Sequence, residues 1–345
     1  MTLKTRWYEN DSRFIPGHYQ PASLIDLALS RDIDSHRLLR GTGLFHEDIL
    51  AGQTRLSPQQ FLGLIGNSRR LLDADDSSFL FGQRLLPGHY GAASHALRHA
   101  QNLHQALDTL VQQQALLSPL ASPRLLLDDQ HAYFYWLDSC GAGDQWRFLL
   151  EASMTSLVAM SQWLSGQRLP WECSFSHAEP RYVEQYWVHL GEHTQFKRPM
   201  DLMRIPREFL TQPWPNASAT AGQVARQEAQ GQLEQLGFAS SFLDCVYRYL
   251  QGQVRQAPSL EQTAQAFGMS PATLKRKLHK HGSGFQQQAD LVRKHVALYL
   301  YQIKGLSNEA VAEYLSFNDA ANFRRSFKRW TGSTPRLIRQ LFSAG

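Results

Sequence analysis

The side chains whose types and spacing could do chemistry lie near the C-terminal end of the chain. Ala272, Lys275, Arg276 and His279 recur on one side of a short segment, and Asn322, Arg325 and Arg329 on one side of another. The chemistry open to such sets is recognition by hydrogen bonding rather than the making of covalent bonds. An arginine fork matches guanine N7 and O6, and an asparagine amide matches adenine N6 and N7. Ala272, Lys275, Arg276, Asn322 and Arg325 are therefore candidates for base contacts. Lys277, Lys280, Arg324, Lys328 and Arg329 flank them and suit phosphate oxygens.

Helices must position these groups, and the sequence supplies their ends. Ser259 can cap one helix, with Glu261 and Gln262 in its first turn. Leu260, Ala264 and Phe267 form its apolar side. Gly268 suits the left-handed residue beyond its end, Met269 the turn, Ser270 the next cap and Pro271 the first helical position. Leu274 and Leu278 then share a buried face opposite the cations. The pattern repeats: Ser307 caps Asn308–Leu315, and Ser316 and Phe317 make the turn. Asn318 is the expected second cap, with Asp319 well placed at the positive helix end. Phe323 and Phe327 form the apolar stripe, Gly332 stops the helix, and Thr334-Pro335 starts one more turn. Residues 285–303 read as one long helix between the copies. This is a helix-turn-helix written twice.

The plainer reading is a helical bundle with a solvated basic face, and charge separates the two. From Pro258 to Gly345 there are 13 lysines and arginines against 5 acidic residues, a net +8. The remaining 22 cations and 25 anions give −3. A basic block on an otherwise acidic chain is an electrostatic footprint for nucleic acid.

With these residues in view, the last hundred or so positions resemble the DNA-binding domain of the AraC/XylS family of transcription regulators. The resemblance rests on Ala264, Gly268, Leu274, Arg276, Leu278, Gly284, Phe285, Arg293, Ala297, Leu300, Val311, Ala312, Leu315, Phe317, Phe323, Arg325, Phe327 and the closing Gly332, Thr334 and Pro335. Ser316 stands where the family usually has glycine. A fainter likeness, in FLFGQRLLPGHYGAASHALRHAQNLHQAL and RLPWECSFSHAEP, is to the arabinose-binding-type sensor domain of one AraC subfamily. It implies effector sensing and dimerisation, not arabinose itself.

At 345 residues, two or three domains are expected. No stretch approaches the ~20 apolar residues of a membrane span. The N-terminus lacks the apolar core of a secretory signal. Cys140, Cys173 and Cys245 are too few and scattered for a disulfide framework, which points to a reducing, cytoplasmic setting.

Residues 1–19 read as a loose arm. Helical signals follow at 22–30, 35–40, 59–72, 77–85 and 99–114, with a loop and short turn through LLPGHYGAASHAL. Residues 124–127 and 131–137 form a hairpin around Asp128-Asp129-Gln130, and residues 146–164 a long amphipathic helix. Residues 171–176 and 202–205 look like strands, 181–189 like a helix. Residues 211–221 have linker composition, and 223–236 a polar helix that could finish the first domain or bridge to the second.

Other chemistry fits poorly. His189 and His193 have a zinc-protease spacing, but Gly191 interrupts the helix such a site needs. His95 and His99 lack nearby cysteine or aspartate. Cys140, before Gly141 in a turn, could be an exposed redox thiol, though a plain thiol is the simpler reading. Nothing calls for a metal or cofactor. Tyr133, Tyr135 and Trp136 could line an effector pocket or simply fill the core, and Arg147, Arg168 or His177 could anchor an effector carboxylate.

The expected fold is α+β: a mixed α/β effector-binding and dimerisation domain over residues 20–210, a linker and connecting helix over 211–238, and an all-α domain over 239–345 with two helix-turn-helix motifs joined by a long helix. The expected function is sequence-specific transcription regulation under a small organic effector, without catalysis. Partners would be double-stranded DNA, the effector, a second copy of the chain and, for an activator, RNA polymerase, with no membrane. Two rivals are a ligand-independent DNA-binding regulator and an enzyme domain tethered to a DNA-binding tail.

Overall fold

The computed structural model describes residues 6–338, in two compact units. One comprises residues 6–196 and 201–242, the other residues 197–200 and 243–338.

The first unit is α+β. Two short antiparallel strands, β1 (Ile15–Pro16) and β2 (Arg55–Leu56), tie its N-terminal segment to the helical layer. The main sheet holds β3 (Ala121–Leu127), β4 (His131–Asp138), β5 (Glu172–Ser174), β6 (Thr194–Gln195) and β7 (Leu202–Pro206), in the order β3-β4-β7-β5-β6. All neighbours are antiparallel except β5 and β6. The β3-β4 hairpin has the expected turn, closed by Asp128. Its carboxylate accepts from the backbone of Gln130 and His131 at 2.8 and 2.6 Å and from the Tyr133 hydroxyl at 2.7 Å.

The helix Trp146–Ser165 is central to this unit, because it feeds two cores. Leu150, Met154, Leu157 and Val158 pack with Phe134, Trp136, Met203 and Ile205 of the sheet. Phe148, Leu149 and Ala152 pack with Phe61, Leu64 and Ile65 of the helix Pro58–Leu72 and with Phe81. The helix Ser77–Leu85 crosses it closely at Gly82, where a Cβ would lie 2.5 Å from the Ala152 carbonyl oxygen. Only glycine permits that approach.

Several sequence expectations need correction. Residues 6–19 are not a loose arm: Tyr8, Phe14 and Ile15 are buried, and the Tyr8 hydroxyl donates to Pro119 O at 2.8 Å. Residues 1–5 lie outside the described residues. The helix expected over 99–114 is two, Leu103–Gln112 and Gln114–Leu117, and starts late because Asn102 caps it through the Gln105 N–H. The loop before it contains the helix Ala92–Arg98, and His46–Leu50 is a further helix that no periodicity announced. The segment with linker composition runs along this unit, where Trp214 is buried and its N–H donates to Gln101 O at 2.8 Å. The helix Ala219–Leu236 then packs on Ala92–Arg98 through the small residues Gly222, Ala225 and Ala229.

The second unit is all helical. From residue 243 it opens with the body of the helix Phe242–Gly252, whose Val246, Tyr247 and Leu250 are buried. Leu260–Ala266 and Pro271–Lys280 form the first helix-turn-helix. Phe285–Gln302 is the long connecting helix, and Asn308–Tyr314 with Ala320–Thr331 form the second motif. Tyr247 and His295 share a hydrogen bond of 2.9 Å, which ties the opening helix to the connecting one. Tyr301, Phe323 and Phe327 form an aromatic cluster beneath the second motif.

Candidate DNA interface and effector cleft

Both helix-turn-helix copies are built by local capping. Ser259 and Gln262 form a reciprocal capping box, with bonds of 2.8 and 3.2 Å. The helix ends in paired backbone bonds, Gly268 N to Gln265 O and Met269 N to Ala264 O, each 3.0 Å. That is the Schellman pattern, which needs a left-handed residue at Gly268, and φ there is +66°. The second copy repeats it, with Ser316 N to Glu313 O at 3.0 Å and Phe317 N to Ala312 O at 2.9 Å.

The second recognition helix starts one residue later than expected. Its cap is Asp319, not Asn318, because the Asp319 carboxylate reaches the Asn322 N–H at 2.6 Å. The same carboxylate takes the Asn322 amide at 2.5 Å, and Asn322 Oδ1 in turn accepts from Arg325. Asp319, Asn322 and Arg325 thus form one chain of hydrogen bonds along the exposed face.

In the first recognition helix Leu274 and Leu278 are buried, while Ala272, Lys275, Arg276, His279 and Lys280 are exposed on the other side. Lys277 is half-buried. In the second, Asn322, Arg324, Arg325, Lys328 and Arg329 are all exposed above Phe323 and Phe327. Arg329 also reaches the connecting helix, where it pairs with Asp290 at 3.0 Å. Arg339, counted in the basic block, lies outside the described residues.

In the first unit the candidate effector residues part company. Trp136 is buried in the sheet core with Phe134. Tyr133 and Tyr135 are also buried, with Tyr133 committed to the Asp128 turn. Arg168 is exposed and donates to Val188 O at 3.3 Å. Arg147 and His177 are brought together through Tyr186, whose hydroxyl lies 3.2 Å from Arg147 Nη2 and 3.3 Å from His177 Nε2.

At the centre of that group is Glu151, which sequence reading passed over. It is 3% exposed and accepts from Ser78 Oγ at 2.6 Å, Arg147 Nε at 2.9 Å, Tyr182 at 3.3 Å and Tyr186. A buried carboxylate persists only when so many donors compensate its lost hydration. Burial, followed by the field of Glu151, pushes the Tyr186 hydroxyl well above the usual phenol range and that of Tyr182 up to about 12. Both stay protonated as donors. Burial also holds the His177 imidazole below its ordinary value. Arg147, Glu151, Ser78 and Tyr182 line a cleft of about 430 Å³, with Arg69, Arg70, Asp73 and Asp75 also on its wall. Glu151 sits among Phe148, Leu149 and Ala152, so a carboxylate on an apolar stripe was the signal to follow.

The remaining chemistry is structural. The helix Val183–Leu190 stops at Gly191, where φ is +108°, so His189 and His193 do not share a helix. His189 stacks on Phe79. Cys140 is buried rather than exposed, and burial pushes its thiol upward.

Comparison with known proteins agrees with this layout. Residues 33–214 match the model of the arabinose-binding domain of AraC transcription regulators, N-terminal, and residues 263–340 match a helix-turn-helix domain model. The chain belongs to the AraC-type transcription regulators with an arabinose-binding-type N-terminal domain. It is a DNA-binding regulator with a ligand-sensing domain. It is similar to the ornithine utilization regulator of Pseudomonas aeruginosa, 28% identical over 95% of this chain and 97% of that protein. It is also similar to the regulator VqsM of the same organism, 32% identical over 25% of this chain and 27% of that one. The crystal structure of the transcriptional regulator CdpR from Pseudomonas aeruginosa aligns over 93% of this chain and 98% of its own, at a TM-score of 0.37 and 17% identity. Among the described residues no helix is long and apolar enough to cross a membrane.

Proposed function

We propose that this regulator places the helices Pro271–Lys280 and Ala320–Thr331 in successive major-groove faces, about one turn or 34 Å apart along the duplex. Ala272, Lys275, Arg276, Asn322 and Arg325 contact bases. Lys277, Lys280, Arg324, Lys328 and Arg329 contact phosphates. The observation that carries this reading is the duplicated motif, with its apolar stripes inward and these side chains outward.

The N-terminal unit, with boundaries near residues 20 and 210, binds a small organic effector and pairs two chains. Effector binding changes DNA affinity, which requires the effector to bind the DNA-competent and DNA-incompetent states unequally. The protein acts in the cytoplasm as a homodimer, touches RNA polymerase where it activates, and performs no catalysis. The end-to-end likeness to a regulator named for ornithine utilization makes L-ornithine the first compound to add.

The test is selection of bound fragments from random-sequence DNA by the full-length protein. The expected result is one enriched motif with two blocks about 10 base pairs apart. Binding with no enrichment would refute the sequence-specific reading in favour of a general DNA binder. Chemical conversion of an added compound would refute the non-enzyme reading.

A further inference from the structure

We propose that the cleft between the end of the helix Pro58–Leu72, the start of Ser77–Leu85 and the first turns of Trp146–Ser165 is the effector site, and that it takes an α-amino acid. The carboxylate would sit on Arg147 and the ammonium on Asp73 and Asp75. This rests on the reading of the chain as an effector-controlled regulator.

Size and polarity come first. A cleft of about 430 Å³ is near the small end of ligand sites. Its lining is charged: Arg69, Arg70 and Arg147 with Asp73, Asp75 and Glu151, three of each sign. Such a lining disfavours an apolar effector, since these groups would lose water with nothing in return.

The charges differ in how far they are already used. Glu151 is supplied by four donors and has no need of a ligand. Its role is to hold Arg147. An arginine has five N–H donors. Arg147 spends one on Glu151 and one on Tyr186, and its guanidinium lies over the Tyr182 ring at 5.3 Å. Three N–H groups remain on a side chain that is 38% exposed at the cleft wall. A fork fixed on one side and open on the other suits a carboxylate.

Opposite charges stand on the same wall. Asp73 ends the helix Pro58–Leu72 in a left-handed conformation, φ +40°, and among the described residues its carboxylate makes no hydrogen bond or close ion pair and feels only the more distant charge of Arg181. Among the described residues Asp75 pairs with Arg181, which is 82% exposed, so that contact is readily exchanged. A simple carboxylic acid would use the open side of Arg147 and leave Asp73 unmatched and Asp75 on its exposed contact with Arg181. A simple amine would do the reverse. An amino acid uses both.

The experiment is calorimetric titration of the full-length protein with L-ornithine and with each standard L-α-amino acid. The best binder is then compared with its decarboxylated amine and its deaminated acid. The expected result is saturable binding, one ligand per chain, with both counterparts weaker by about tenfold or more. Arg147→Lys keeps the charge but loses the fork, and should weaken binding by a similar factor. Because Arg147 also supports Glu151, exposed Asp73→Asn is the second variant, and asparagine tolerates the left-handed backbone. It should weaken the amino acid and leave the deaminated acid unaffected. Circular dichroism confirms that each variant is folded. The proposal is overturned if no amino acid binds the folded protein, if either counterpart binds as tightly, or if neither substitution changes affinity. Amino-acid binding by a protein that selects no DNA motif would support the cleft assignment while striking the regulatory reading.

Discussion

Ser316 and Gly268 hold the same station in the two turns, with φ of +59° and +66°. A left-handed residue other than glycine costs roughly 1–2 kcal/mol. Ser316 offsets this by donating its hydroxyl to the Arg255 carbonyl, a bond glycine lacks. Ser316→Ala keeps the strain and loses the bond, so it should destabilise by about 1 kcal/mol. Ser316→Gly loses both and should stay within about 1 kcal/mol of the parent. Urea denaturation of the three proteins measures this, and equal loss in both variants would remove the hydroxyl from the account.

Arg276 and Lys328 should fail in different ways. Arg276→Ala removes a base-edge donor, so preference for the selected motif over random DNA should fall by about 1–3 kcal/mol. Lys328→Ala should weaken both DNAs alike and reduce the salt slope by about 1. Binding curves at several salt concentrations separate the two, and parallel losses for Arg276→Ala would place that residue on the backbone.

Glu151 gathers donors from the helices Ser77–Leu85, Trp146–Ser165 and Val183–Leu190. Glu151→Ala leaves a partly buried guanidinium and several hydroxyls without their acceptor. The expected loss is about 3–5 kcal/mol, against about 1 kcal/mol for Ser78→Ala. Thermal or urea unfolding checks the pair. A small effect for Glu151→Ala would mean that water replaces the carboxylate cheaply.

Acid should loosen the same region. Burial lowers the His177 pKa, helped by Arg147 and opposed by the Ala178 carbonyl, Asp201 and Glu151. Unfolding frees the imidazole to bind its proton at about 6.5. Below that pH the unfolded chain holds more protons, so stability is full above it and falls as pH drops toward the lower native value. His177→Gln should flatten that part of a Tm-versus-pH curve. His189, shifted the same way by burial, is the comparison, and an unchanged slope in His177→Gln would assign the effect there.

What could be read from residues alone follows from the range of the forces involved. The helix-turn-helix copies are set by contacts within about five residues, so Ser259, Gly268, Ser270 and Ser307 announced them. Even there Asn318 and Asp319 competed for one cap, and carboxylate geometry chose the second. The β3-β4 hairpin was equally plain, since Asp128 closes its own turn. The cleft was not, because Ser78 and Glu151 are 73 residues apart and meet only where Gly82 lets two helices touch. Arg147 and His177 were candidates, but nothing local said they share Tyr186 while Arg168 stands elsewhere.

The helix Ala219–Leu236 has a practical bearing on sensor exchange between regulators. The family match to the sensor ends at residue 214, yet Ala225, Ala229 and Leu233 are buried against the body that precedes them. A chimera spliced at residue 214 would graft a foreign helix onto a groove shaped for these small side chains, with Gly222 only 2.9 Å in Cβ terms from the His99 carbonyl. Spliced instead after Gly237, where the left-handed cap ends that helix, the transferred cassette would carry its own matching lid.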